Sequence, residues 1–331
     1  MLQILAVTFP FFALVGLGYA AAVRGMLPLS AIAGMNTFVL FFALPCMLYR
    51  FGASTPIAQL FDPGAALSYL LCALLMVTLV VVLTRRGPTG WNDAAFGALV
   101  GAFPNTGFMG VPLLVALLGQ AAAGPAIVTI LVDMVITTSL CIALSRLGGA
   151  SHDEGNSSAP QDAGQAARSA LRGVATNPMP WAILSGAVVS AFAIVLPAPV
   201  AKTVALLADS ASPVALFTIG AVLARSRMHA ASGHAPAVPL GQVLPVVAIK
   251  LFVHPLVVLG VGRAAQSLGV ALDDFALMVM VLVAALPSAS NVSMLAERFG
   301  ANNGRIARII LFSTMAAFFS FSGAVAWMTG R

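Results

Sequence analysis

Residues 101–114 read GAFPNTGFMGVPLL, and residues 284–296 read AALPSASNVSMLA. Each stretch sets a proline inside a long apolar run and follows it with small polar residues. Asn105 and Thr106 come after Pro104; Ser288, Ser290, Asn291 and Ser293 come after Pro287. A proline in a helix interior removes one backbone hydrogen bond and clashes with the carbonyl four residues earlier. It also pushes the preceding residue toward extended geometry. Phe103 and Leu286 are therefore expected to leave the helix, and the carbonyls of Val100 and Val283 to lose their usual amides. An unpartnered carbonyl in hydrocarbon costs several kcal/mol, so each break needs a cavity, a polar neighbour or an ion. The polar residues after each proline suit the N-cap of a restarting helix. Two restarted helices facing each other would present amides and positive dipole ends to a carboxylate. Gly101, Gly107 and Gly110 are expected to let the broken helices cross closely.

The rest of the chain places these breaks in a membrane. It is 60% hydrophobic and 8% charged, against about 45–50% and about 25% in an average soluble domain. Sixteen basic and ten acidic residues cannot solvate a soluble protein of 331 residues. That excludes a soluble globular enzyme, a nucleic-acid binder and a disordered chain. A run of about 20 apolar residues crosses a bilayer core. Ten such runs are read, at 3–23, 31–50, 64–84, 94–118, 124–146, 179–197, 203–224, 240–262, 275–297 and 305–328. The first lacks a basic leader region and reads as a retained helix rather than a cleaved signal peptide. Cys46, Cys72 and Cys141 all lie in apolar runs with no metal-ligand spacing, so neither a disulfide framework nor a metal site is expected.

One long polar stretch, 148–178, divides the runs five to five. It reads as a linker between a first repeat, 1–147, and a second, 179–331. With the N-terminus outside, inner segments carry Arg24, Arg85, Arg86, Arg146, Arg168, Arg172, Arg225, Arg227, Arg298, Arg305 and Arg308. Outer segments carry only Arg50, Lys202, Arg263 and Arg331. The basic excess sets the orientation: both termini outside, linker in the cytoplasm, in a bacterial-type inner membrane. An odd number of spans per half turns the second half upside down relative to the first. The expected fold is therefore all-α, ten transmembrane helices in two inverted five-helix repeats, with broken fourth and ninth helices at equivalent places.

Three ionisable residues fit no loop: Asp133 in TILVDMVITTS, and Lys250 and His254 in VVAIKLFVHPL. Charges at membrane depth are costly and normally face the protein interior. Asp133 and Lys250 fall about as deep in their runs as the two prolines, and His254 shares a helix face with Lys250. One reading is a midplane site where Lys250 attracts an anion while Asp133 or His254 binds or relays a proton. The alternative is a structural Asp133–Lys250 pair that ties helices together. Asp209 and Asn36 are further polar residues within spans, and Pro45 and Pro213 are expected to bend or break the second and seventh.

GAFPNTGFMGVPLL closely resembles the fourth-helix signature of the auxin efflux carrier family. AIKLFVHPLVVL resembles that family's eighth helix, AALPSASNVSMLA its ninth, and LAVTFPFFALVGLGYAAAVRGML its first. The resemblance covers essentially the whole chain. It implies crossing fourth and ninth helices in a transport domain built from spans 3–5 and 8–10. A scaffold of spans 1, 2, 6 and 7 would stand beside it. It implies distant kinship with the bile acid:sodium symporter superfamily, and substrates of the malonate, malate or indole-3-acetate kind. Carried over by motif, Pro104 and Asn105 mark the first crossover and Pro287 and Asn291 the second. The second asparagine stands four residues after its proline, not one.

The expected function is a secondary carrier of a small mono- or dicarboxylate. The candidate site residues are Pro104, Asn105, Thr106, Asp133, Lys250, His254, Pro287, Ser288, Ser290 and Asn291. No cofactor is expected. The coupling ion is a proton, with sodium near Asn105 and Asn291 as the alternative. Expected partners are the substrate and the bilayer, with a homodimer left open and no nucleic acid. The chain lacks a Walker A loop, which argues against ATP-driven transport, and it lacks HExxH, GxSxG and paired aspartates, which argues against an intramembrane enzyme. A channel or sensor of the same fold is the other alternative.

Overall fold

The computed structural model describes residues 2–55, 62–85, 87, 89–147, 178–231 and 238–330. Of the expected linker over 148–178, residues 148–177, with Arg168 and Arg172, lie outside the described residues, as do Arg86 and Arg331, while Pro178 opens a helix. The described residues form helices α1 (Leu2–Val23), α2 (Ala31–Ser54), α3 (Pro63–Arg85), α4 (Trp91–Ala102), α5 (Thr106–Leu118) and α6 (Gln120–Ser145). After the linker come α7 (Pro178–Ala191), α8 (Ala198–Ala231), α9 (Leu240–Ser267), α10 (Asp274–Ala284), α11 (Asn291–Arg298) and α12 (Asn303–Thr329). Among them, α1, α2, α3, α6, α8, α9 and α12 are long and apolar enough to cross a membrane. The expected fourth and ninth runs are each realised as two shorter helices, α4 with α5 and α10 with α11, separated at the prolines. Pro213 does not break the seventh run: α8 continues through it for 34 residues.

Three other prolines follow wide helical turns. Five-residue π-helical segments at Val39–Ala43, Thr106–Gly110 and Ile249–Val253 each precede a proline, at Pro45, Pro112 and Pro255. A π turn widens the helix where a proline ring would strike the preceding turn, and such turns recur at functional positions. A fourth, Asp133–Thr137, has no proline. There the Thr138 hydroxyl donates to the Asp133 carbonyl at 2.8 Å.

Helix α1 packs along α8, and α2 packs along α7 and α8. Two crossings are so close that only glycine fits. A Cβ on Gly18 would stand 1.9 Å from the Phe217 carbonyl oxygen, and one on Gly220 would stand 1.9 Å from that of Val15. On the other pair, a Cβ on Gly52 would stand 2.3 Å from the Ile183 carbonyl oxygen and one on Gly186 would stand 2.1 Å from that of Tyr49. Each crossing is reciprocal, one glycine from each helix against the other's backbone, as in close packing within a bilayer. A second set of helices, α3, α4, α6, α9 and α10, packs together around the breaks. One end of this set is pinned by polar contacts. The Asn92 amide donates to the Phe299 carbonyl at 2.9 Å, and the Asn302 amide donates to Asp93 at 2.7 Å. Buried Arg305 donates to the carbonyls of Gln242 at 3.2 Å and Asp93 at 3.1 Å. Large apolar side chains, among them Phe9, Leu17, Phe41, Leu71, Phe192 and Phe319, point outward, the surface expected where helices meet lipid.

The glycine crossing gives a test. Gly220→Ala has no room for its methyl group, whereas exposed Gly16 has nothing within 4 Å of an added Cβ. Thermal melting in detergent is expected to show Gly220→Ala destabilised by about 1–3 kcal/mol, the usual cost of overpacking, and Gly16→Ala unchanged.

Candidate functional site

The two breaks meet. Phe103 is extended (φ −89°, ψ 107°), as the proline after it dictates. The Asn105 amide donates to the Pro287 carbonyl at 2.8 Å, and the Ala289 amide donates to the Phe103 carbonyl at 2.9 Å. These two bonds form an antiparallel bridge centred on Pro104 and Ser288. Each broken chain thereby takes up backbone groups that the other leaves without helical partners. The equivalence is shifted by one residue from the proline-to-proline match expected from sequence. Pro104 stands opposite Ser288, so Asn105 corresponds to Ala289 and not to Asn291. Gly110 lets Leu286 come close, since a Cβ there would lie 2.5 Å from the leucine Cδ1. Gly101 instead faces Val80 and Val246, and Gly107 meets open space, so only one of the three glycines serves the crossing.

Neither helix restart carries a side-chain cap, contrary to the N-cap expectation: Asn105 and Ser290 occupy the cap positions without bonding the helix amides. The Thr106 amide turns back to the Pro104 carbonyl at 2.8 Å. The Asn105 side chain, in a residue only 5% exposed, makes no hydrogen bond to a described residue. Asn291 Oδ1 and the Ser288 hydroxyl are buried and likewise without a partner among the described residues. Asn105 and Asn291 line one cavity together, closed by Leu44 and Leu48 of α2, Met134 of α6 and Phe108. Ser290 and Ser293 line a second cavity on the far side of Phe108, facing α2 and α8.

Behind the crossover lies a second polar group, fully buried. The Lys250 ammonium donates to the Ala284 carbonyl at 2.8 Å and lies 3.0 Å from His254 Nδ1. Ala284 ends α10, so the ammonium caps the negative end of that helix just before the break. The carbonyl left open by the break is thus Ala284's, not Val283's; Val283 accepts the Leu286 amide at 3.1 Å. A charged ammonium can only donate, so His254 Nδ1 accepts and the hydrogen sits on Nε2. His254 Nε2 has no partner among the described residues. Asp133 accepts from the Tyr69 hydroxyl at 2.9 Å and the Thr137 hydroxyl at 2.9 Å. Asp133 and Lys250 therefore make no contact pair, and the structural pairing considered from sequence is replaced by two separately satisfied charges. Tyr69 connects them: its hydroxyl holds Asp133 and its ring centroid lies 6.3 Å from that of His254. Burying an ionised carboxylate requires such hydrogen bonds.

The structure thus brings Pro104, Asn105, Thr106, Pro287, Ser288, Ser290 and Asn291 to one crossover, with Lys250 and His254 abutting it through Ala284. Asp133 joins through Tyr69. Asp209 lies elsewhere, in an exposed ion pair with Arg50 at 2.5 Å. Sequence reasoning missed Tyr69 and Phe108. A lone phenol inside the apolar run 64–84 was a signal for the first, because a buried hydroxyl needs a partner. Phe108 carried none.

Residues 4–325 match the family described as membrane transport protein. The chain belongs to that family, which it shares with the auxin efflux carriers. It is therefore a membrane transporter, as its family's members are. It is 27% identical to a Rhizobium meliloti protein named "Putative malonate transporter", over 98% of this chain and 95% of that one. It is 28% identical to the Escherichia coli transporter YfdV over 62% of this chain and 59% of the relative. Auxin efflux carrier component 7 of Arabidopsis thaliana is 31% identical over 35% of this chain and 19% of its own length.

The Tyr69 link is testable on its own. Tyr69→Phe deletes one of the two side-chain hydrogen bonds to a buried carboxylate and is expected to lower stability by about 1–3 kcal/mol. Thr78→Val, at an exposed hydroxyl that bonds only the Leu74 carbonyl, should change melting little.

Proposed function

We propose that this transporter is a carrier of a small mono- or dicarboxylate, with malonate the first substrate to try, and that it works by alternating access around the crossover. The observation that carries this reading is the pair of amide side chains, Asn105 and Asn291, that line one cavity where α5 and α11 begin. Amide donors and helix N-termini suit a carboxylate oxygen. The cavity measures about 30 Å³, room for a water molecule or two rather than for an organic acid. The site is thus read as closed, to be opened by relative movement of two helix sets.

The moving parts follow from the packing. We assign α1, α2, α7 and α8 to a scaffold and the remaining helices to a transport domain, in ten spans forming two inverted repeats. The reciprocal glycine crossings support this: an inverted repeat that relates α1 to α7 and α2 to α8 turns the α1–α8 crossing into the α7–α2 crossing. The assignment also puts both termini outside a bacterial inner membrane, with basic Arg24, Arg225, Arg227, Arg305 and Arg308 on the cytoplasmic side. A homodimer is compatible with it. No enzymatic step is assigned to any residue.

Proton coupling is supported by the buried Asp133–Tyr69–His254–Lys250 group. The Ala284 carbonyl, which would otherwise serve an alkali cation, already holds the Lys250 ammonium. A proton gained or lost within this group changes the cap on α10 and with it the crossover. Lys250 acts here on the crossover backbone rather than as a direct ligand.

Three measurements in proteoliposomes test the proposal. Malonate uptake should accelerate with trans malonate, as in a carrier and not in a channel, and should respond to an imposed proton gradient and not to a sodium gradient. Asn105→Ala and Lys250→Ala should each lower uptake at least tenfold in protein that still elutes as a single species. Asp133→Asn should keep malonate exchange but lose the response to the proton gradient. Absence of any carboxylate exchange by the wild type would overturn the carrier reading.

A further inference from the structure

The cavity on the far side of Phe108 contains a cation that the crossover site does not use. Its lining includes Asn36 of α2, Ser290 and Ser293 of the second break, and Arg225 of α8. Arg225 is half-buried and has no hydrogen bond or ion pair with a described residue. Among the described residues, no acidic side chain lines this cavity. An arginine that is partly withdrawn from water and lacks a counter-charge is an anion site in waiting, because its fork of donors matches a carboxylate.

The two cavities lie at different depths along the same scaffold helix. Helix α2 lines the Arg225 cavity with Asn36 and Leu40 and the crossover cavity with Leu44 and Leu48. That shift of eight residues is about 12 Å of helix at about 1.5 Å per residue. A dicarboxylate as short as malonate cannot hold both ends at once, so the cavities act in sequence rather than together. Phe108 lines both and is 8% exposed, so its ring is the partition between them.

We infer that Arg225, Asn36, Ser290 and Ser293 form an anion-holding antechamber on one side of the crossover, with Phe108 as the partition through which a carboxylate passes to Asn105 and Asn291. This rests on the carrier reading proposed above. Ser290 and Ser293 sit on the same short helix region as Asn291, where the Ser293 hydroxyl turns back to the Ser290 carbonyl at 3.1 Å and the Ser290 hydroxyl stands nearest an anion that leaves Arg225. The cavity measures about 20 Å³, so it too is closed around its side chains here, and Arg225 places it toward the C-terminal end of α8. It therefore serves only one side of the transporter.

Sidedness is the test. Malonate transport is measured in proteoliposomes sorted by accessibility of a C-terminal tag, with substrate presented first to the Arg225 face and then to the opposite face. Arg225→Gln should raise KM about tenfold from the Arg225 face and less than twofold from the other. Arg225→Lys, which keeps the charge, should recover most of the loss, and Asn105→Ala should impair transport from both faces. Phe108→Ala should weaken the asymmetry between the faces. Equal effects of Arg225→Gln on both faces, or none on either, would overturn the antechamber while leaving the carrier reading intact. A wild-type protein that exchanges no carboxylate would overturn both. Misfolding of Arg225→Gln would be seen as loss of Vmax from both faces with Arg225→Lys normal; the decision then passes to Asn36→Leu, which should reproduce the one-sided rise in KM, and equal KM from both faces in that variant would overturn the proposal.

Discussion

Two backbone hydrogen bonds between broken helices hold the centre of this molecule. Each proline leaves its helix with amides and carbonyls that cannot be satisfied within the segment, and the interior holds no bulk water to take them. The Asn105 amide on the Pro287 carbonyl and the Ala289 amide on the Phe103 carbonyl settle that cost mutually. Neither break would be tolerable alone. The pairing ties residues 184 positions apart, in two halves of the chain, and sets the distance between the α5 and α11 starts. It also leaves side chains, not backbone, to face the cavity. The side chains that line the cavities beside the crossover are Asn105, Asn291, Ser290 and Ser293.

The same constraint explains why a lysine is buried beside the crossover. A helix that ends inside a membrane exposes its last carbonyls, and α10 ends at Ala284 with its negative pole inside the protein. Lys250 answers that pole with a full charge, and its stem is sheathed by apolar neighbours. Once there, the charge must be kept hydrated by protein groups, which His254 supplies on one side. Asp133 balances the charge of the group without touching it.

Much of this was legible in the sequence. The breaks at Pro104 and Pro287, the loss of helix at Phe103, the burial of Asp133 and Lys250, and the shared face of Lys250 and His254 all follow from apolar patterning, periodicity and the chemistry of proline. What was not legible is what depends on docking between distant segments. The one-residue shift that pairs Pro104 with Ser288 arises where α5 packs on α1, α6 and α8 and α11 packs on α4 and α12; the Ser288 amide, for example, is held by the Ser313 hydroxyl at 3.2 Å. Local patterning carries no trace of that register. Tyr69 reaching Asp133 across 64 positions and Arg225 opening beside Ser290 are of the same kind. Pro213 failed as a helix breaker because a continuous α8 packed on α1 and α2 outweighs one missing amide.

The shift in register has a consequence for symmetry. If the two halves were related residue for residue at the prolines, Asn105 and a matching asparagine would face the substrate as equals, and the two sides of the crossover would bind an anion alike. Instead the counterpart of Asn105 is Ala289, and the second amide comes from Asn291, two residues further on and at the first turn of α11. One break therefore offers its donor from the extended segment and the other from a helix. In the carrier proposed above, an anion held between them would meet different geometry on its two faces, which would give the site a direction. Arg225 lies on the side of the serine-rich break, and Lys250 lies behind the carbonyl end of that same break. The basic groups are thus both attached to the second break, and the first supplies only neutral donors and the Phe108 ring.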